Sequence, residues 1–254
     1  MSGITRPTER SVSDLIGFIL MFSIIASSVS LIYLVGFDTL EDFSDDEDVQ
    51  TADRAMRGVA ETFEDIHRQG VPERSLDVGI DGANLDLVES GIELRVKETT
   101  GPGSPREFDI ETNALTVSRS GSADEIAYES GALFQVGEQG SIIRHRPVFS
   151  CEDGTAILSV VQLTGSVSIS VEDPVQVTGR QTETRRLYPS PGSSPKATEI
   201  TIDVTDSRYA SAWDNYLDRL GSEQDWVQDS NGVYTCNVNR VYIRQTTINV
   251  EAID

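Results

Sequence analysis

Residues 49–80 read VQTADRAMRGVAETFEDIHRQGVPERSLDVGI, and within that stretch the apolar period changes once. Val49, Ala52, Met56, Val59, Phe63 and Ile66 are spaced 3-4-3-4-3, which puts all six on one stripe of a helix. Glu, Asp, Arg and Gln fill the opposite face, and Gly70-Val71-Pro72 ends the pattern. From Ser75 the period is two: Leu76, Val78 and Ile80 alternate with polar residues, the mark of a half-buried strand. The stripe covers only about two and a half heptads, short for a lone coiled coil. Its apolar face is therefore expected against a sheet or among neighbouring copies.

The strand pattern continues downstream. Leu85-Leu87, Ile92-Leu94-Val96, Val167-Ile169-Val171, Val175-Val177 and Ile200-Ile202-Val204 each alternate, and Gly and Pro turn signals separate several of them. Ile157–Leu163 is more continuously apolar and reads as a central strand. One helix interrupts this region. Asp206 or Ser207 is its expected N-cap, and Tyr209, Ala212, Trp213, Tyr216, Leu217 and Leu220 form its apolar face. Gly221 is its expected stop. Two last strands follow, Gly232–Asn237 and Val241–Val250. The fold class is α+β and mostly β, an antiparallel β-rich domain with one inserted helix.

Upstream of the stripe, Leu15–Phe37 is an apolar run of 23 residues with no charge inside it, bracketed by Asp14 and Asp38. At a helical rise of about 1.5 Å per residue it reaches about 34 Å, enough to cross a bilayer core. Ser23, Ser27, Ser28 and Ser30 are its polar members, and a helix can satisfy them internally. A cleaved secretory signal, with Leu15–Ile25 as its apolar core and a cut near Ala26-Ser27-Ser28, is the competing reading. Apolar residues from Val29 through Phe37 continue past any such cut and favour a retained span. Arg6 and Arg10 precede the run, while Asp38–Asp53 holds eight acids and no base. That asymmetry predicts a single-pass protein of the cell membrane, its N-terminus cytoplasmic and its C-terminal domain extracellular. The organisation expected is a cytoplasmic leader at 1–14, a transmembrane helix at 15–37, an acidic juxtamembrane segment and amphipathic helix at 38–72, and an extracellular β-rich domain at 73–254. Span and helix would then be continuous.

Acids outnumber bases 42 to 20, for a net charge of −22, and Lys97 and Lys196 are the only lysines. Such a surface repels itself at low ionic strength. In about 1 M salt the Debye length falls to about 3 Å and the repulsion largely disappears. The composition thus suits a salt-rich exterior, a halophilic protein; an ordinary acidic, soluble one is the blander reading. It argues against nucleic acid or an anionic membrane surface as a partner, since both need basic patches. Arg144-His145-Arg146 and Arg185-Arg186 are too short for one, and a strand edge or turn accounts for them.

Motifs for chemistry are sparse. Glu41–Asp48 is dense in acids but lacks the alternating spacing and mid-loop Gly of a calcium loop, so a solvated segment is expected there. His67 and His145 are the only histidines, and neither has Cys or His at ligand spacing. There is no Gly-x-Ser-x-Gly elbow and no phosphate-cradling Gly motif. No metal or other cofactor and no catalytic residue is assigned, and an enzyme is the third choice of class. Cys151 and Cys236 both fall in the predicted exterior, which favours a bond between them; two buried thiols are the alternative. A bond would close a loop worth about 4.6 kcal/mol by chain entropy.

Arg10-Ser11-Val12-Ser13-Asp14-Leu15-Ile16-Gly17-Phe18-Ile19-Leu20-Met21-Phe22 resembles the N-terminus of haloarchaeal type IV pilins and pilin-like surface proteins. Tyr128–Phe134 and Tyr209–Trp213 are similar to segments of uncharacterised pilin-like proteins of the same group. The resemblance implies cleavage by prepilin peptidase between Ser11 and Val12, with the hydrophobic helix kept. Asp14 stands where many members carry Pro, and Ser11 replaces the commoner Ala or Gly. The implied partners are membrane lipid, prepilin peptidase and other pilin-like subunits. Asp14 is the candidate assembly charge, facing the freed amino group of Val12 on a neighbouring subunit. The expected function is a non-enzymatic pilin-like surface protein; the alternative is a single-pass anchored ectodomain that binds a ligand or partner without forming filaments.

Overall fold

The computed structural model describes residues 8–99, 105–119, 122–138, 140–192 and 196–253; in the first helix, side chains are described at 18–28 and from Gln50 onward. The chain divides into two compact units, Met1–Val49 and Gln50–Asp254. Helix α1 (Thr8–Gln69) begins in the first and ends in the second.

In the first unit, the large apolar side chains from Phe18 to Ile25 are all exposed. Phe18 and Phe22 lie one turn apart with their rings stacked at 6.3 Å. The Ser28 hydroxyl donates to the Ile24 carbonyl at 2.7 Å, so this polar group is satisfied within its own helix. Residues 15–17 and 29–37 of the expected span lie outside the described side chains, as does the acidic segment 41–48. Among the described residues no helix is long and apolar enough to cross a membrane.

The second unit is mostly β. Its strands are β1 (Glu73–Val78), β2 (Ala83–Val88), β3 (Ile92–Glu98), β4 (Arg106–Ile110), β5 (Ala114–Arg119), β6 (Glu125–Glu129), β7 (Ala132–Gly137), β8 (Gly140–His145), β9 (Val148–Glu152), β10 (Thr155–Gly165), β11 (Ser168–Val171), β12 (Val175–Tyr188) and β13 (Ala197–Asp203). Helix α2 (Ala210–Glu223) and strands β14 (Val227–Ser230), β15 (Val233–Asn237) and β16 (Arg240–Ile253) complete it. They form three sheets, ordered β1-β12-β16-β10-β9, β11-β2-β5-β6-β7-β8 and β14-β15-β13-β3-β4.

The striped part of α1 behaves as its spacing predicts. Ala52, Met56, Val59, Phe63 and Ile66 are buried, in one core with Val161 and Leu163 of β10, Val177 of β12, Ile248 and Val250 of β16, and Leu85, Leu115 and Tyr128 of the second sheet. Each large side chain so placed contributes about 1.5–3 kcal/mol. Gly70, at φ +72°, turns the chain, and its N–H donates to the Ile66 carbonyl. A second core surrounds α2. Trp213 packs edge-on to Phe134 at 5.1 Å and stacks on Phe149 at 5.5 Å, with Leu158, Ile200 and Ile243 around it. Strands β10 and β16 serve both cores from opposite faces: Ala156, Leu158, Val160, Val241 and Ile243 enter the core around α2, whereas Val161, Leu163, Ile248 and Val250 enter the core with α1.

Three expectations need correcting. The strands are not all antiparallel: β10 and β16 run parallel, from Thr155 beside Arg240 to Gly165 beside Val250. The chain between them builds five strands and α2 before returning, ample for the crossover that a parallel pair requires. Helix α2 begins at Ala210 with Tyr209, not Asp206 or Ser207, at its N-cap and no side-chain cap; Ser207 lies two residues further back, where its oxygen accepts the Tyr209 N–H. Gly221 lies inside α2 and does not end it. A Cβ there would stand 2.8 Å from the Trp226 carbonyl oxygen, so glycine permits a close approach.

Candidate functional site

The most constrained polar group in the β-rich unit is Glu129, at the end of β6 and fully buried. Its Oε1 accepts from Ser90 Oγ and Thr112 Oγ1, both at 2.7 Å. Its Oε2 accepts from Ser207 Oγ at 2.7 Å and Trp213 Nε1 at 2.8 Å. Local structure aims each donor. Ser90 lies between β2 and β3, and its Oγ also accepts the Arg208 N–H at 2.9 Å. Thr112 lies between β4 and β5. Ser207 accepts the Tyr209 N–H at 3.0 Å just before α2, and Trp213 sits on the first turn of α2.

Burial pushes the Glu129 carboxyl above its ordinary value, against four hydrogen bonds that pull it down. The arrangement is a brace. Both oxygens are taken, and the group joins the second sheet to α2 and to the loops feeding the third. The segments Tyr128–Phe134 and Tyr209–Trp213 meet here, through Glu129 and Trp213. Beside the brace, Tyr209 donates its hydroxyl to Glu125.

Next to Ser90 opens a polar cleft of about 630 Å³, lined by Glu89, Glu111, Asn113 and Asp206 among others. Among the described residues no group of three or more His, Cys, Asp and Glu is arranged to hold a metal ion. His67 is buried on α1 with its Nδ1 3.0 Å from the Phe63 carbonyl, and burial holds its pKa down. The His145 ring lies 3.4 Å from Glu64.

A second concavity, of about 490 Å³, lies on the first sheet. Ile157, Tyr242 and Val148 supply its apolar floor, and Arg68, Arg186 and Arg244 its charge.

Residues 10–251 match a family of unknown function, DUF7289. The chain belongs to that family. No curated protein and no solved structure matches it. The DUF7289 match spans both the brace and the arginine-lined concavity, as well as every site residue expected from the sequence. Of those, Cys151 of β9 and Cys236 of β15 are joined, with an S–S distance of 1.95 Å, and link the first sheet to the third. Ser11, Val12 and Asp14 fall in α1, and their side chains lie outside the described residues.

Sequence reading missed Glu129 and its donors. One signal was available: a lone acid in the otherwise apolar run Ile126-Ala127-Tyr128-Glu129. Its partners, however, stand 17 to 84 residues away. Arg185-Arg186 read as an isolated pair, and nothing in the sequence placed Arg244 opposite Arg186.

Proposed function

We propose that the chain is a non-enzymatic, pilin-like cell-surface protein, held in the membrane or assembled through its N-terminal hydrophobic helix. Its β-rich unit is displayed outside. The observation that carries this reading is the exposure of the described apolar residues of α1. Phe18, Ile19, Leu20, Met21, Phe22, Ile24 and Ile25 are 53–69% exposed. Apolar surface of this density costs about 25 cal/mol per Å² in water. Lipid or the helices of other copies are the environments that remove that cost. The uncharged run Leu15–Phe37 supports a single pass, and the flanking charges support a cytoplasmic N-terminus. The net charge of −22 supports a salt-rich exterior.

The second reading is an anchored ectodomain that binds a ligand or partner without forming filaments; the uncharged run Leu15–Phe37 supports an anchor of that kind equally. The mature N-terminus, read by mass spectrometry on native membranes, separates the two. A start at Val12 is the outcome expected of prepilin-peptidase processing. A start at or near Met1 sinks the pilin route and leaves the anchored ectodomain.

A further inference from the structure

The sheet face that carries α1 continues past the end of that helix. Leu163 and Val161 of β10, and Val250 and Ile248 of β16, lie in the core with α1. Stepping by two along the same face leads to Ser159 and Ile157 on β10, and to Arg244 and Tyr242 on β16. Here the helix has ended. Arg244 donates to the His67 carbonyl in its last turn, a cation at the negative end of the helix. Beyond it, Ile157 and Tyr242 are neighbours in register and are 48% and 45% exposed.

The charged residues that line this shelf are all arginines. Arg186 of β12 stands directly opposite Arg244 of β16, a like-charge pair that destabilises a sheet. Several other arginines meet acids: Arg95 reaches Asp203 at 2.6 Å, Arg180 reaches Glu73 at 2.6 Å, and Arg106 reaches Glu98 at 3.1 Å. Arg68 at the rim of the shelf is paired with Glu64. Among the described residues neither Arg186 nor Arg244 has a carboxylate partner, and no acid lines the shelf. Two guanidinium groups beside an exposed aromatic and an aliphatic floor match carboxylates flanking an apolar side chain.

We propose that this shelf docks an acidic segment of a second copy of the chain, carboxylates on Arg186 and Arg244 and an apolar side chain on Ile157 and Tyr242. Charge complementarity selects the occupant. Acids outnumber bases 42 to 20, and Glu41–Asp48 offers six carboxylates and one Phe in eight residues. The proposal rests on the assembly reading given above and names a contact for it.

The test uses the full chain in detergent, with p-benzoylphenylalanine in place of Tyr242. Two pools bearing different tags are mixed and irradiated, and adducts are mapped by mass spectrometry. The expected result is an adduct between differently tagged chains, at a peptide containing Glu41–Asp48. It should fall about tenfold or more with Arg186→Glu, and with the milder Arg186→Gln if the first variant lowers the melting temperature. An adduct confined to one chain, an adduct elsewhere, or one indifferent to both variants overturns the proposal. Light scattering on the same samples separates the two levels of the argument. Oligomers without this adduct overturn the contact and leave assembly standing; chains that stay monomeric overturn both.

Discussion

Glu129 receives hydrogen bonds from four side chains on two oxygens, and only three of those donors can change roles. Ser90, Thr112 and Ser207 carry hydroxyls that can turn to accept, whereas Trp213 Nε1 only donates. Glu129→Gln should keep its carbonyl toward Trp213 and turn its NH2 toward Ser90 and Thr112. Ser90 Oγ already accepts from Arg208, so its own proton loses its acceptor. The expected cost is about 1–3 kcal/mol, read as a lower denaturation midpoint. The pH dependence has a definite sign. Burial raises the carboxyl above its ordinary 4.5, so its contribution is fully present below that value and is lost as pH rises through the folded pKa. The amide has no such loss. The stability gap between wild type and Glu129→Gln should therefore be widest below pH 4.5 and narrow as pH rises. A gap that widens instead would mean the four donors outweigh burial and hold the carboxylate ionised.

At the scale of elements, two glycines border the packing of α1 on the first sheet, with opposite expectations. A Cβ on Gly179 of β12 would stand 2.7 Å from Phe63 Cε1 and 3.0 Å from Ile66 Cδ1, both locked in the core. Gly179→Ala should lift the helix from the sheet at a cost of about 1–3 kcal/mol. A Cβ on Gly58 of α1 meets only the tip of Leu76, at 2.8 Å, which can rotate away. Gly58→Ala also gains helix propensity of up to about 1 kcal/mol, so it should be neutral or stabilising. Urea midpoints of the two variants check both, and a destabilising Gly58→Ala would show that Leu76 is fixed. This docking was legible in the sequence, because α1 buries one stripe and leaves the rest wet. The same holds for the apolar face of α2 and for strands such as β3, whose residues are alternately buried and half-buried. It failed where a strand is enclosed on both faces. Ala114–Val117, Ile126–Glu129 and Ala132–Phe134 lie between the two cores, so no polar residue marks an outer side. It failed again in the second half of β12, where Gln181–Arg186 is wet on both faces. Glu129 and the Arg186–Arg244 pair escaped for a different reason. Each is defined by partners far away in the chain, and only the register of the sheets brings them together.

For the molecule as a whole, the decisive quantity is the balance between self-repulsion and surface ion pairs. The pairs are numerous but mostly exposed: Arg74 with Asp65, Arg180 with Glu73 and Arg146 with Glu223 all keep a third or more of their side chains in solvent. Pairs of this kind contribute about 0–1 kcal/mol each and weaken with salt. Repulsion among the excess carboxylates acts over the whole surface and is also screened, but in the stabilising direction. With 42 acids against 20 bases, repulsion should win. The melting temperature should accordingly rise with KCl and level off near 1 M, where the Debye length is about 3 Å. For a chain of this size each kcal/mol gained shifts the midpoint by about 2–4 °C. Replacing KCl by NaCl at equal ionic strength separates screening from specific ion effects, because screening depends on ionic strength alone. A midpoint that falls as salt is added would mean that the ion pairs hold the fold together. The acidic composition would then need a cause other than a salt-rich exterior.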